Sequence, residues 1–387
     1  MIDITALLSQ SGVGQDSIRY ASGCKKAKHG VTSTRGPVVA WNITKRCNFT
    51  CKHCYSSADL NPGQEELGLD EIKSAIDQMK ALKVPVILLS GGEPMMHEHI
   101  FEIIEYIKAS GIRVSLSTNG SLITRDTALR LKSLGVSYVG ISLDGIGEIN
   151  DRFRGVKGAF EKAVQGIRNC NEAGQKVGLR MTVHKHNVYH VPSILSFMEE
   201  ESVKRICFYH LVPSGRGVDI QDQMMSPEEA RKFLESLIDY TNQQDMVNDP
   251  KEILTVTNHV DGPYTYILTK DKDPGLAQNV LEKLKNNKGN RSGVAIMNMD
   301  WSGNVYPDQF SKFMPLGSVR EKSLEEIWVK GTEALNQLRN KNDHLNDRCR
   351  NCKWLDICGG NLRARAYMTT GDLWGHDPGC YLKDDEI

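Results

Sequence analysis

Between residues 37 and 211 the chain alternates short apolar runs with segments of helical periodicity. PVVAWNI (37–43), VPVILLS (84–90), RVSLST (113–118), YVGISLD (138–144), KVGLRMTV (176–183) and KRICFYHL (204–211) read as strands. LDEIKSAIDQMKAL (69–82), HIFEIIEYIKAS (99–110), TRDTALRLKSLG (124–135), GAFEKAVQGIRNCNEAG (158–174) and HVPSILSFMEEE (190–201) read as helices between them. Apolar strands separated by amphipathic helices form parallel βαβ units. Six units predict an α/β fold built as a partial (β/α)6 barrel, because a closed eight-unit barrel takes roughly 250 residues. In such folds the loops after the C-terminal ends of the strands carry the chemistry.

Outside this rhythm the pattern changes. Residues 1–36 are polar around SGCKKAKHGVTSTRG and read as a mostly extended lead-in. SPEEARKFLESLIDYTNQQ (226–244) predicts one more amphipathic helix. KEILTVTNHVDGPYTYI (251–267) mixes a strand with a turn, and DPGLAQNVLEKLKNN (273–287) is helical. GVAIMNMDWSGNVYP (293–307) predicts a hairpin turning at Ser302-Gly303-Asn304, and SLEEIWVKGTEALNQLRN (323–340) a helix. The expected division is a lead-in over 1–36, a barrel over 37–245, a bridging segment over 246–290 and a smaller α+β domain over 291–387.

Composition narrows the function. The chain has 387 residues, and 48 Lys and Arg balance 48 Asp and Glu. A zero formal charge argues against a nucleic-acid binder working by bulk charge. No apolar run approaches the roughly 18 residues of a membrane span, and the first residues lack the basic start of a signal peptide. The ten cysteines are clustered rather than spread. Clustered cysteines in a long chain read as metal ligands in a reducing compartment, so a cytoplasmic protein is expected. Cys24 reads as a spare thiol.

The chemistry centres on WNITKRCNFTCKHCY (41–55), which follows the first strand directly. Cys47, Cys51 and Cys54 have C-x3-C-x2-C spacing. Three thiolates suit an iron–sulfur cluster with one open iron better than a closed zinc site, which needs a fourth ligand such as His53. Polar or glycine-rich sequences follow later strands: Ser90-Gly91-Gly92-Glu93-Pro94, Ser117-Thr118-Asn119-Gly120, Ser142-Leu143-Asp144-Gly145, and Tyr209-His210-Leu211 leading to Gly215-Arg216-Gly217. A second thiol set, Cys349, Cys352, Cys358 and Cys380, is by ligand type either zinc or a closed cluster.

These motifs resemble the radical S-adenosylmethionine (SAM) superfamily, whose signature is C-x3-C-x2-C with an aromatic residue before the third cysteine, followed by GGEP. The resemblance spans roughly 37–217. It implies that Cys47, Cys51 and Cys54 hold a 4Fe–4S cluster whose open iron is chelated by SAM. It implies that Gly91, Gly92 and Glu93 receive the SAM amino group and that Ser117 and Asn119 face the ribose, with Ser142 nearby. Arg154 then pairs with the SAM carboxylate, while Tyr55 and Leu211 flank the adenine. The family reaction is reductive C–S cleavage to a 5′-deoxyadenosyl radical, which abstracts a substrate hydrogen.

The C-terminal set resembles the cluster-binding half of a SPASM/Twitch extension. Asp308 and Leu362 stand where a full SPASM domain carries further cysteines, so one auxiliary 4Fe–4S cluster on Cys349, Cys352, Cys358 and Cys380 is expected. PVVAWNITKRCN, YVGISLDGIGEINDRFRG, FYHLVPSGRG, LTVTNHVDGPY, NVYPDQF and CRNCKWLDICGGNLRARAYMTTGDLWGHDPGCYL resemble the tetrapyrrole-modifying group that contains the alternative-haem-pathway deacetylase and the haem d1 enzyme NirJ. DSIRY (16–20) and NHVDGP (258–263) favour the deacetylase. That resemblance implies removal of two acetate arms from 12,18-didecarboxysiroheme, giving Fe-coproporphyrin III. It also implies a small electron donor such as ferredoxin or flavodoxin. NirJ-like action on propionates and peptide maturation are the alternatives. A polycarboxylate substrate calls for cations in the pocket, and Arg152, Arg180, His184, His210, Arg216, His259, Arg363 and Arg365 are candidates. Arg216 is the first choice as carboxylate partner. His210 and His259 are candidate ligands of substrate iron.

Overall fold

A computed structural model describes residues 1–9, 36–61, 63, 65–247 and 249–387. All six predicted strands form: β2 (Val38–Thr44), β3 (Val86–Gly91), β4 (Arg113–Thr118), β5 (Val139–Ser142), β6 (Val177–Val183) and β7 (Arg205–His210), after a short β1 (Ile2–Asp3). They pair in parallel in chain order. The helices between them also form: α2 (Leu69–Ala81), α3 (Ile100–Ala109), α4 (Arg125–Ser133), α5 (Glu148–Arg154), α6 (Ala159–Glu172) and α7 (Val191–Glu200), after α1 (Ile4–Leu8). Helix α5 is absent from the periodicity because only seven residues build it, between Gly147 and Gly155.

The two faces of the strands differ. In β4, Val114, Leu116 and Thr118 are buried, whereas Ser115 and Ser117 are only half-buried. Strand alternation puts these sets on opposite faces. The half-buried row of small polar residues lines the hollow of the barrel.

The sheet continues past the six predicted units. Strand β8 (Glu252–Val256) pairs in parallel with β7, so the expected bridging segment contains a seventh parallel strand. Of the lead-in, residues 4–8 form a helix rather than an extended run. Residues 2–3 pair antiparallel with β8, and Asp3 caps the wholly buried α1 by accepting from the Ala6 amide. Cys24 and the DSIRY stretch lie outside the described residues. Helices α8 (Pro227–Met246), α9 (Asp261–Lys270) and α10 (Pro274–Asn287) follow. The hairpin β9 (Ile296–Met299) and β10 (Asn304–Tyr306), with β11 (Gly317–Ser318), joins the same sheet through β2. Its turn lies one or two residues earlier than predicted, since Asn304 already belongs to β10 and Asp300 accepts from the Ser302 and Asn304 amides. The helix expected over 323–340 breaks at Gly331, whose φ of 75° suits glycine, leaving Glu325–Lys330 and Glu333–Arg339. The full order is β1-β8-β7-β6-β5-β4-β3-β2-β9-β10-β11.

Candidate functional site

The loop after β2 is anchored from several sides. Cys47 N–H donates to Asp59 O at 2.8 Å, and Glu66 accepts from Thr44 Oγ1 and the Lys45 amide. Gly92 N–H donates to Thr44 O at 2.7 Å, and Glu93 N–H to Arg46 O at 2.8 Å. A Cβ on Gly92 would lie 2.1 Å from Arg46 O, so glycine is required for this backbone approach. From the β7 end, Arg216 donates from Nε to Cys51 O at 2.9 Å and from Nη1 to Ala58 O at 2.7 Å, and its amide donates to Cys54 O at 3.0 Å. A Cβ on Gly215 would fall 2.4 Å from Cys54 O.

Cys47 and Cys51 are buried, Cys54 half-buried, and all three are free thiols on one cleft. Burial pushes the Cys47 thiol up to about 12, with Glu93 and the other two cysteines adding repulsion. Burial likewise raises Cys51, against the opposing pull of Arg154. Three free thiols gathered on one cleft can bind the cationic core of an iron–sulfur cluster as thiolates, so the donor set fits the group its spacing implies. Arg154 Nη1 lies 3.7 Å from Cys51 Sγ, and its Nη2 forms an ion pair with Asp144 Oδ2 at 2.6 Å. Asp144 is held in turn by the Thr182 amide at 2.8 Å. His53 stacks on Phe153 at 4.6 Å with its Nε2 3.7 Å from Asp144, and Phe153 stacks on His184 at 4.5 Å. Burial lowers His53 to about 4, leaving it neutral. The ring is stacked on Phe153 with its Nε2 toward Asp144.

The cleft encloses about 1010 Å³, solvent mouth included. Tyr55, Gly91, Gly92, Ser117, Asn119, Ser142, Arg154, His210, Leu211 and Arg216 all line it, as the strand-end rule predicts. Tyr55 Oη accepts from Asn42 Nδ2 at 2.7 Å and lies 3.3 Å from Ser90 Oγ. Asn119 donates to Asn48 at 2.8 Å.

Four of the expected site residues have side chains or backbone engaged within the protein. Glu93 is fully buried beneath the cleft, and its carboxylate accepts from Thr118 Oγ1 and the Asn119 and Met95 amides, all at 2.7–3.1 Å. These bonds tie the loop after β3 to the end of β4. His259 lies outside the cleft, with its amide donating to Asn361 Oδ1 at 2.7 Å and burial pulling its ring well below the ordinary range. His210 Nε2 is engaged by Asp261 at 3.0 Å, and Tyr381 Oη donates to the same carboxylate at 2.6 Å. Arg216 spends two of its nitrogens on loop carbonyls, which is the contact pattern of a clamp.

Residues not singled out for the site complete the wall: Thr182, Tyr209, Gln309, Phe310 and, among the candidate cations, Arg180. The Arg180 guanidinium lies across the Tyr209 ring at 4.7 Å, and its side chain forms no hydrogen bond or ion pair with the described residues. Gly140 makes room for it, because a Cβ there would fall 2.7 Å from Arg180 Cδ. In the ladder Gly140 pairs with Gly178, two residues before Arg180, so the space for the arginine came from a diagonal neighbour.

In the C-terminal region, Cys349 starts from an Asn346-capped turn, with the Cys349 amide donating to Asn346 Oδ1 at 3.0 Å. Trp354 N–H donates to Cys352 Sγ at 3.4 Å, Cys358 O accepts from Asn290 N–H at 3.0 Å, and Cys380 N–H donates to Asp377 O at 2.9 Å. Burial pushes Cys380 up to about 11, and burial raises Cys358 as well, with the charge of Cys380 adding to that rise. Four half-buried free thiols in this region again fit a metal cluster. Asp308 is different: its Oδ1 accepts from the Phe310 and Ser311 amides and Ser311 Oγ at 2.8–3.0 Å. Leu362 is buried with Val212 and Ala364, against Phe310 and Phe313. Apolar packing occupies its surroundings. Among the described residues no three His, Cys, Asp or Glu side chains clasp a position for a single metal ion, and no helix is long and apolar enough to cross a membrane.

Residues 41–198 match the radical SAM superfamily, and residues 293–353 match the SPASM iron–sulfur cluster-binding domain. The whole chain is 43% identical to Fe-coproporphyrin III synthase of Methanosarcina barkeri, covering 99% of that protein. It is 38% identical to pre-heme d1 synthase of Dinoroseobacter shibae over 90% of this chain and 87% of that one. In structure it is similar to Streptococcus suis SuiB bound to its precursor peptide SuiA, with a TM-score of 0.72 at 17% identity over 90% of this chain and 76% of that one.

Proposed function

Because the chain belongs to the radical SAM superfamily, with SAM and a 4Fe–4S cluster as cofactors and a SPASM iron–sulfur domain behind them, we propose that it removes the two acetate arms of 12,18-didecarboxysiroheme to give Fe-coproporphyrin III. The observation that carries this reading is the full-length likeness at 43% identity to a Fe-coproporphyrin III synthase. When bound at Cys47, Cys51 and Cys54, the cluster and SAM supply a 5′-deoxyadenosyl radical for hydrogen abstraction.

The protein's own residues bind, orient and exclude water. Gly91, Gly92, Ser117, Asn119 and Ser142 offer backbone and hydroxyl partners for a zwitterionic nucleoside ligand. Arg154, fixed by Asp144, places positive charge beside Cys51 and is suited to the SAM carboxylate. Tyr55 and Leu211 provide apolar walls for the adenine. Arg180 is the cation we assign to a substrate carboxylate: it is in the cleft, stacked on Tyr209 and unpaired, so it has donors to offer. Phe310 brings an aromatic face from the SPASM side. Electrons come from a small donor such as ferredoxin or flavodoxin in the reducing cytoplasm.

The test is anaerobic incubation of reconstituted enzyme with SAM, reductant and 12,18-didecarboxysiroheme. Fe-coproporphyrin III by mass, with 5′-deoxyadenosine formed alongside, is the expected outcome. Loss of propionate mass instead would establish the NirJ-like reading, which the 38% identity to pre-heme d1 synthase favours second.

A further inference from the structure

Two buried basic side chains near the C-terminal cysteines have no carboxylate in hydrogen-bond contact. Arg363 is 2% exposed. Its Nη1 donates to Leu373 O at 3.0 Å and Gly375 O at 2.7 Å, and its Nη2 to Gly360 O. Lys341 is 9% exposed, and its Nζ donates to Asn290 O. Every one of these acceptors is a neutral carbonyl. The nearby buried carboxylate, Asp377, is already satisfied: Arg365 holds it at 2.7 and 3.0 Å, and the Leu362 and Gly379 amides donate to it at 2.9 Å.

Buried cations without a counter-charge are strongly unfavourable. Burial first, then the charges of Arg363 and Arg291, lower the Lys341 ammonium to about 7, so a neighbouring anion is what would keep it charged. Both are tied to the cysteine segments. Gly360, which accepts from Arg363, follows Cys358 by two residues. Asn290, which accepts from Lys341, donates its own N–H to Cys358 O at 3.0 Å. Lys341 Nζ also lies against the residue after Cys358, since a Cβ on Gly359 would fall 3.2 Å from it. At the N-terminal cysteines the guanidinium that touches a sulfur, Arg154, already has its carboxylate in Asp144. The C-terminal site therefore has an excess of buried positive charge that an anion should fill.

We propose that Arg363 and Lys341 are the counter-charges of an anionic iron–sulfur cluster held by Cys349, Cys352, Cys358 and Cys380, and that they raise its reduction potential. Adding an electron to a cluster with four thiolates increases its negative charge. A fixed cation stabilises the reduced form more than the oxidised form, so the potential rises. These residues are positioning groups and touch no substrate. The inference rests on the auxiliary cluster of the proposed function, not on the tetrapyrrole.

The experiment uses the full chain with Cys47, Cys51 and Cys54 replaced by Ala, so that only the auxiliary cluster is read. Reduction is followed by EPR in a redox titration, with iron and zinc counted. Lys341→Met and Arg363→Met should each shift the one-electron equilibrium at least tenfold against reduction, which is about 59 mV more negative. Arg363→Lys, which keeps the charge, should stay well within that shift. An unchanged or more positive potential in the two Met variants, with iron retained, overturns the proposal. If Arg363→Met loses the cluster and Arg363→Lys keeps it, the need for charge is supported. If both lose it, shape rather than charge is required and the proposal fails. Zinc in place of iron also ends it. No tetrapyrrole is present, so a wrong substrate assignment leaves these results unaffected.

Discussion

Replacing Arg216 by Met separates a clamp from a substrate ligand. The substitution keeps the aliphatic stem and removes the bonds to Cys51 O at 2.9 Å and Ala58 O at 2.7 Å, while the backbone bond from residue 216 to Cys54 O survives. Hydrogen bonds to a charged donor contribute about 1.5–3 kcal/mol each. Arg216 is half-buried, so water can replace part of what is lost, and about 3 kcal/mol for the pair is the appropriate end of the range. That energy holds the cysteine loop in its ligating shape, and it converts to roughly a 150-fold loss in cluster retention. The assay is iron release from reconstituted protein to a chelator, followed beside SAM cleavage. Release from the N-terminal site should accelerate by about two orders of magnitude, with SAM cleavage falling in step. The matched control is Arg180→Met, which should leave iron release unchanged and raise the substrate KM. If Arg216→Met keeps its iron at the parent rate and changes only the substrate KM, the clamp assignment is wrong and Arg216 is a carboxylate partner.

Replacing Cys47, Cys51 and Cys54 together by Ala should abolish 5′-deoxyadenosine formation; SAM cleavage surviving in that variant would remove the radical assignment for this loop. Fully reconstituted parent protein should hold about eight irons and the triple variant about four, by colorimetric iron analysis; about twelve in the parent would show a second auxiliary cluster despite Asp308 and Leu362. Glu93 gives a pH dependence. Burial raises its carboxyl to about 6, above the ordinary value, despite hydrogen bonds from Thr118, Asn119 and Met95. A raised carboxyl favours the folded state when protonated, so stability should be greatest below the unfolded value near 4.5 and decline by about 2 kcal/mol as pH rises through about 6. Denaturant titrations of apoprotein at several pH values should show this component, and Glu93→Gln should lack it whatever its overall stability; an identical pH slope in the variant would assign the effect elsewhere.

The six parallel units were legible because each strand and its helix carry their own periodicity. The strand-end rule then placed the cysteine loop and most of the cleft wall. Long-range pairing was not legible in the same way. Nothing local in KEILTV shows that it pairs beside KRICFYHL, or that the hairpin at 296–306 joins the first barrel strand, because register depends on a partner distant in sequence. The N-terminal residues 2–8 look like an ordinary lead-in until β8 and the buried surface around α1 are present. Side-chain direction was equally hidden. GGEP marks a loop, but only the amides of Met95 and Asn119 show that Glu93 turns beneath it. Gly-Arg-Gly at 215–217 suggested an available cation, whereas the carbonyls of Cys51 and Ala58 were the partners. Arg180 was one of several basic residues until Gly140 and Tyr209 gave it a place.

Strand β2 has a neighbour on each side, β3 of the barrel and β9 of the C-terminal region, and leads into the cysteine loop. Swinging the two regions apart would tear backbone bonds along Val38–Trp41, the same stretch that carries the loop. A hinge between them is therefore a poor route for a bulky guest. Admission and discharge fall instead to the rim segments above the strand ends, which can flex while the ladder stays shut. The spacing between the two cysteine groups is then a built-in constant of the frame, unchanged from one turnover to the next.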